Sequence, residues 1–297
     1  MVKRGRRLSL AEGIAAGSLF GTAALFIRML VGVDAIAVAF WRLLIASALL
    51  ILALLILRKR LSLNLARENL RHFIILGGLL GLHFVLFVSA VRETTILNAT
   101  VLVNTVPIFS LIISVLLYRV RPHRIALVGV ILSLIGACAI AYGGVYTGGS
   151  TSLTGDLKAT LAALAEGFYL NYGREKRNKL PILPTMLFIY LAATIATAFA
   201  GFSSGADFTA GQNWDTVLPL LGLGVLPTAV AHTLFFSSLS HLKSFEAAAM
   251  ALLEPLGATL LGMAMFAEIP TLGIVLGAAL TLAGVFFVAI EKEQEIG

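Results

Sequence analysis

The chain has 297 residues, of which 59% are hydrophobic and only 12% are charged, and its mean hydropathy is +0.98. About a quarter of the residues in a soluble domain are charged, so this composition excludes an ordinary soluble protein. The net charge of +7 comes from short connectors between apolar runs, which is typical of membrane topology and argues against a nucleic-acid partner.

Apolar runs of membrane-spanning length recur along the sequence. A hydrocarbon core of about 30 Å requires a helix of about 20 residues, and lipid offers no partner for an unpaired backbone amide. We therefore predict an all-α integral membrane protein with ten transmembrane helices at residues 10–30, 34–57, 72–91, 96–117, 124–145, 155–173, 182–202, 216–240, 245–266 and 270–290. The sixth has the weakest pattern, because Lys158 and Glu166 interrupt it.

Lysine and arginine predict the orientation. Most of the 22 basic residues precede the first run or lie in alternate connectors, such as 58–71, 119–124 and 174–179. Cytoplasmic loops carry an excess of these residues. We therefore expect a multi-pass protein of the plasma membrane (the bacterial inner membrane) with both termini in the cytoplasm.

Prolines and glycines recur in the two halves of the chain at an offset of 148 residues. The matching pairs are Pro107 with Pro255, Pro122 with Pro270, Gly129 with Gly277, and Gly136 with Gly284. Five spans per copy is an odd number, so the second copy enters the bilayer in the opposite orientation, as in many secondary transporters. The prediction is two inverted five-helix repeats, at residues 1–148 and 149–297.

Small residues predict two close-packing faces. One is Gly273-x-x-x-Gly277 in the last span, and the other contains Gly129, Ser133 and Gly136 in the fifth. Small side chains let membrane helices approach closely.

Two acidic residues stand out in the interior of predicted spans, where a charge costs about 2.5–3.5 kcal/mol and needs a reason. Glu254 precedes Pro255, which opens the helix locally, so its carboxylate could bind a cation or a substrate amine, exchange a proton, or only tie helices together. Glu166 lies three residues before Tyr169, and the two could hold an amino group beside an aromatic wall. The alternative for Glu166 is a structural hydrogen bond between helices.

Four further polar residues stand out within the spans. His83 and His232 miss the repeat offset by one residue, and both have phenylalanine neighbours. The two histidines could bind one ligand together, or each could form a structural hydrogen bond. The two histidines have no Cys or Asp companion, which argues against a metal site. Arg42 could hold a substrate carboxylate, but we favour a structural role. Asn104, three residues before Pro107, is a plausible hydrogen-bonding group in a cavity.

The sequence contains no H-E-x-x-H, no G-x-S-x-G and no phosphate-binding Gly-Lys-Thr loop, so we expect no enzyme, cofactor or metal. The pattern resembles the EamA branch of the drug/metabolite transporter superfamily, and within it the YddG-type amino-acid exporters. This resemblance covers nearly the whole chain and rests on Phe40-Trp-Arg42, on Asn98–Pro107 with Pro122 and Gly129, and on Glu246–Pro255 with Pro270 and Gly277.

The resemblance implies a central cavity lined by helices 1, 3, 4, 6, 8 and 9. Carried onto this sequence, its substrate-binding side chains would be Ser18, Thr22, His83, Phe87, Asn104, Glu166, Tyr169, His232, Phe235, Met250 and Glu254. Arg42, on predicted helix 2, falls outside this set.

We therefore expect a secondary transporter that exports amino acids, with aromatic or hydrophobic side chains, or related small metabolites, by alternating access. One alternative is a drug or cation exporter coupled to protons through Glu254 or Glu166. The other alternative is a membrane-embedded enzyme or assembly subunit. The expected partners are a small-molecule substrate, the lipid bilayer and, as a coupling ion, the proton.

Overall fold

The computed structural model describes residues 5–59, 63–94, 96–143, 152–209, 213–266 and 271–290. Across these residues the chain is helical and contains no strand, which confirms the all-α prediction. In chain order the elements are α1 (Arg6–Phe20), α2 (Thr22–Met29), α3 (Ala35–Ile56), α4 (Leu63–Glu93), α5 (Ile96–Val103), α6 (Val106–Leu116), α7 (Arg124–Gly143), α8 (Leu153–Arg177), α9 (Ile182–Ser204), α10 (Trp214–Leu223), a π-helical segment (Gly224–His232), α11 (Thr233–Ser238), α12 (Ser244–Ala251), α13 (Glu254–Phe266) and α14 (Leu272–Ile290).

Several helices in the described part of the chain can cross a membrane. Seven stretches are long and apolar enough: Arg6–Ile27, Ala35–Ile56, Asn64–Glu93, Ala99–Leu116, Ile182–Ser204, Trp214–Ser238 and Leu272–Ile290. A shorter apolar stretch lies within α7, and α8 and the α12–α13 pair cover the two remaining predicted spans. Multiple spans are therefore confirmed, whereas the count of ten and the inverted repeat stay predictions.

Helix α3 shows how the sequence forms an uninterrupted span. Asp34 caps its N-terminus, where the Asp34 Oδ1 accepts the backbone N–H of Ile36 at 2.7 Å. The 22 residues that follow contain neither glycine nor proline. Arg42 therefore lies on a continuous helix, and its backbone offers no opening to a ligand.

Three other predicted spans are broken. The helix stops at Gly21 between α1 and α2, at Asn104–Thr105 between α5 and α6, and at Leu252–Leu253 between α12 and α13. The second and third breaks lie 148 residues apart, and a proline follows each of them within three residues. Proline lacks the backbone N–H that an α-helix requires, so the helical hydrogen bonding is interrupted just before it.

The helices α7 and α14 pack closely through small residues. A Cβ on Gly129 would lie 2.7 Å from the Gly284 carbonyl oxygen, and one on Gly136 would lie 2.6 Å from that of Gly277. The order of these contacts makes the two helices antiparallel. The predicted face of α7 is therefore confirmed, but Gly273 of α14 lies outside the contact, since its Cβ would meet only Thr271 Oγ1 at 3.8 Å.

The broken helix α1–α2 packs against the break between α12 and α13. A Cβ on Gly17 would overlap the backbone of Met250, and one on Gly21 would lie 2.8 Å from the Glu254 carbonyl oxygen. Glycine is required here because the two backbones nearly touch. This contact brings Glu254 to the centre of the molecule.

The π-helical segment ends at His232 and contains Pro227. In a π-helix each backbone N–H bonds five residues back, so each hydrogen-bonded loop contains one more residue than in an α-helix. The segment packs against α1 and α3. It therefore determines which way His232 faces.

Candidate functional site

A cavity of about 60 Å³ lies among the broken helices, with both Asn104 and Leu252 in its wall. Its volume suffices for several water molecules. The elements that surround it come from both halves of the chain, namely α1, α2, α3, α4, α5, α6, α8, α11, α12, α13 and the end of the π-helical segment.

Seven of the eleven predicted substrate-binding residues line this one cavity. They are His83, Phe87, Asn104, Glu166, His232, Phe235 and Glu254. Residues up to 171 positions apart in sequence are thus brought together. The structure places the other four outside the cavity wall.

Ser18 and Thr22 do not contribute their hydroxyls to the cavity. Ser18 Oγ donates to the Ile14 carbonyl oxygen at 3.0 Å, and Thr22 Oγ1 donates to that of Leu19 at 2.7 Å. Both hydroxyls thus bond to their own helix, which is the usual alternative for serine and threonine within membrane helices.

Tyr169 and Met250 are buried elsewhere. Three residues on a helix correspond to about 300°, so Tyr169 is displaced by about 60° from Glu166 and packs on Phe236 instead. Met250 is fully buried and packs on Gly13, with 3.0 Å between its Cγ and a Cβ built on that glycine. The predicted pairing of Glu166 with a phenol is therefore not observed.

Arg42 lines the cavity, although it was expected outside it and a structural role was favoured over binding a substrate carboxylate. Its side chain is 2% exposed and its Nε donates to Thr228 Oγ1 at 2.9 Å. The guanidinium carbon lies 3.8 Å from the centroid of the Phe84 ring, which is a cation–π contact. Arg42 Nη1 is buried and has no hydrogen-bond partner among the described residues. The sequence feature that could have identified Arg42 as a cavity residue is its charge within an otherwise apolar span.

Glu166 also has unused hydrogen-bonding capacity. It is 4% exposed, and neither carboxylate oxygen has a hydrogen-bond partner in the described part of the chain. His83 Nδ1 lies 3.8 Å from Glu166 Oε2 and donates to the Ala162 carbonyl oxygen at 3.0 Å. The histidine is therefore fixed by the backbone of α8, while the carboxylate remains available to a ligand.

His232 lies on the other side of the cavity. Its ring centroid is 4.7 Å from that of Phe20, 4.9 Å from that of Phe84 and 6.4 Å from that of His83. Within the described residues its Nδ1, too, lacks a hydrogen-bond partner. Aromatic walls thus surround a small number of unsatisfied polar atoms.

The cavity wall combines the Arg42 guanidinium with two carboxyl groups. Glu254 and Glu166 both interact electrostatically with Arg42 across it. Buried polar groups in proteins are almost always hydrogen-bonded, so unsatisfied groups that converge on one cavity indicate a binding site. The described residues contain no group of three His, Cys, Asp or Glu side chains arranged to hold a metal ion. The arrangement suits a small solute with both charges and an apolar body.

Comparisons with known proteins agree with a membrane transporter. The model of the family described as "EamA-like transporter family" matches the chain twice, at residues 9–142 and 153–290. A protein of Bacillus subtilis named "Uncharacterized transporter YdfC" is 29% identical over 86% of this chain and 82% of its own length. An "Uncharacterized transporter" of Archaeoglobus fulgidus is 27% identical over 97% of both chains.

A solved structure shares the fold. It is described only as the crystal structure of a protein, and it is 19% identical to this chain. It covers 95% of this chain and 96% of its own, with a TM-score of 0.80. The resemblance to the EamA branch is confirmed by the family match, whereas the amino-acid-exporter subtype stays a prediction.

Proposed function

This chain belongs to the EamA-like transporter family, and we propose that it exports amino acids with aromatic or hydrophobic side chains, or related small metabolites, by alternating access. The family match and the names of the relatives indicate a transporter and not an enzyme. The substrate class, the direction and the mechanism are our proposal.

The observation that carries the substrate class is the composition of the cavity wall. Arg42 and Glu166 supply opposite charges with unsatisfied hydrogen-bonding atoms. Phenylalanines 20, 84, 87 and 235 supply an apolar surface beside them. A zwitterion with an apolar side chain is complementary to both parts of this wall.

The repeat supports a symmetric mechanism. Helix bounds recur at 147 or 148 residues, as for α3 and α9 or for α7 and α14. Gly129 opposes Gly284 while Gly136 opposes Gly277, which is the reciprocal contact expected about a two-fold axis between inverted copies. We therefore keep ten spans in two inverted halves, 1–148 and 149–297, which would rock about the cavity.

The basic residues support the orientation. Arg6, Arg174, Arg177 and Lys243 all belong to the end of the molecule where α1 begins and α8 ends. By the positive-inside rule this end faces the cytoplasm of a plasma membrane, with both termini on the same side.

Flux through liposomes tests the proposal. Purified protein in liposomes loaded with an unlabelled amino acid should accumulate the labelled one, and leucine or phenylalanine should exchange faster than glutamate or lysine. Empty liposomes and a Gly17→Ala variant, whose added methyl would overlap the Met250 backbone, are the controls. The absence of amino-acid exchange in every member of the panel would refute the proposed substrate class.

A second candidate is an exporter of organic cations coupled to protons. Glu166 favours it, because a buried carboxylate without a hydrogen-bond partner among the described residues can alternate between a proton and a cationic solute. Under a pH gradient, Glu166→Gln and Glu254→Gln should then abolish cation accumulation. Flux that persists unchanged in Glu254→Gln at all pH values rejects that residue as the proton carrier.

A further inference from the structure

The guanidinium of Arg42 is held on one edge and one face only. Thr228 Oγ1 accepts from Nε at 2.9 Å, and the Phe84 ring lies 3.8 Å from Cζ. Thr228 is itself fixed, because its carbonyl oxygen accepts from the Tyr190 hydroxyl at 2.8 Å. These contacts leave the outer N–H groups of the fork available, and Nη1 is buried without a partner among the described residues.

Arg42 and Glu166 share the cavity but do not form a hydrogen bond with each other. Both carboxylate oxygens of Glu166 lack a hydrogen-bond partner in the part of the chain that the structure describes, although Arg42 attracts that carboxylate electrostatically. A buried charge is costly unless it is paired and hydrogen-bonded. Here Thr228 and Phe84 hold the guanidinium, and a ligand that bridges the two residues would satisfy both.

We propose that Arg42 binds the carboxylate of the transported solute and that Glu166 receives its ammonium group. The inference rests on the proposed function for the identity of the solute as an amino acid. A guanidinium presents two parallel N–H groups whose spacing matches the two oxygens of a carboxylate. Thr228 is a positioning residue, because it orients the fork and does not touch the solute.

Ligand binding tests this assignment separately from transport. We would measure the thermal unfolding of the purified full-length protein in detergent with 3-phenylpropionate, which has only the carboxylate, and with phenethylamine, which has only the amine. Both compounds carry the same ring, so the ratio of their apparent affinities reports the charged contacts. Ligands that bind the folded state raise the unfolding temperature by an amount that grows with the logarithm of ligand concentration over Kd, so a concentration series gives an apparent affinity.

We expect Arg42→Gln to weaken binding of 3-phenylpropionate by at least about tenfold and to leave phenethylamine unchanged, since a hydrogen bond to a charged group is lost. Glu166→Gln should have the reverse effect. Arg42→Lys should recover part of the carboxylate affinity, because it keeps the charge but not the fork. Thr228→Val keeps the arginine and should lower the carboxylate affinity severalfold, so the proposal stays testable if Arg42→Gln does not fold.

Arg177→Gln is the matched control. Arg177 is likewise buried, at 6% exposure, but it donates to the Leu180 carbonyl oxygen at the end of α8, away from the cavity. Its loss should leave the ratio of the two affinities unchanged. An unchanged ratio in both Arg42→Gln and Thr228→Val would overturn the assignment, as would a wild-type protein that 3-phenylpropionate does not stabilise. Carboxylate binding that depends on Arg42 without any amino-acid flux would instead reject the proposed function.

Discussion

The two ends of the cavity are closed by different chemistry. At the basic end, where α1 begins, Arg6 Nη1 and Nη2 donate to the two carboxylate oxygens of Glu246 at 3.1 and 3.4 Å. Arg6 Nη2 also donates to the Val288 carbonyl oxygen at 3.0 Å. The Glu246 side chain is fully buried, and it also accepts the Lys243 backbone N–H at 2.7 Å, which caps α12.

At the opposite end, α4 stops against the start of α8. Lys158 pairs with Glu93 there, but the two side chains are 37% and 36% exposed. A second contact there is a hydrogen bond between a neutral and an acidic side chain, in which Thr94 Oγ1 donates to Asp156 Oδ1 at 2.7 Å. An ion pair in contact with water contributes little, while breaking a buried one leaves an uncompensated charge. We therefore expect that opening the opposite end requires less free energy than opening the basic end.

The largest expected effect comes from Glu246→Gln. This change leaves the Arg6 cation without its buried partner, so the free energy of unfolding should fall by about 3 kcal/mol. Opening at the basic end should also increase. Chemical unfolding gives the first quantity. A thiol reagent that cannot cross membranes gives the second, with Ala251→Cys as the cavity probe after Cys138→Ala removes the native cysteine. Equal labelling from the basic side in the parent and the variant would show that the Arg6–Glu246 pair does not hold this end closed.

Gly155→Ala should force the opposite end apart. A Cβ at residue 155 would lie 2.8 Å from the Thr94 backbone nitrogen, so the two helix ends must separate. Overpacking of this kind costs about 1–3 kcal/mol. Labelling of the same cavity cysteine should rise from the opposite side only. A rise from the basic side alone would show that the two ends are not independent.

Thr94→Val should have a smaller effect in the same direction. It removes the hydroxyl that donates to Asp156 and that accepts the Ser152 backbone N–H at 3.3 Å, while it keeps the side-chain shape. The loss of such bonds costs about 1 kcal/mol. The corresponding Thr154→Val variant, at an exposed site, serves as the control in unfolding experiments. A Thr94→Val protein as stable as that control would show that the hydroxyl does not hold this end.

Glu93→Gln should have the smallest effect. Because its pair with Lys158 is more than a third exposed, the free energy of unfolding should change by less than about 1 kcal/mol. What remains should vanish as the salt concentration rises. A loss as large as that of Glu246→Gln would remove the distinction between the two ends.

Sequence patterns predicted the parts of the fold that depend on local chemistry. The breaks before Pro107 and Pro255 follow from the missing proline amide. The close-packing face of α7 follows from the small side chains of Gly129, Ser133 and Gly136, which were predicted to let a neighbouring helix approach. Seven of the eleven predicted residues line the cavity, and five of these seven are polar residues, which are rare within apolar spans.

The position of His232 required the tertiary structure. An α-helix with an offset of 148 residues would place residue 231, not His232, opposite His83, which turns the ring away by about 100°. The π-helical segment that ends at His232 accommodates the extra residue, and the two rings lie 6.4 Å apart. Sequence periodicity alone did not predict this change of helix type, although Pro227 lies within the segment.

The sequence by itself determined an all-helical membrane protein, its helix breaks before Pro107 and Pro255 and the polar residues that must avoid lipid, because each depends on a backbone or transfer energy local to its segment. The tertiary structure alone decided what those polar residues contact. Arg42 lies on an unbroken helix, and only its packing with Thr228 and Phe84 holds its guanidinium in the wall of the cavity that Glu166 also lines. Contacts between distant segments depend on helix rotation and register, which no single segment fixes.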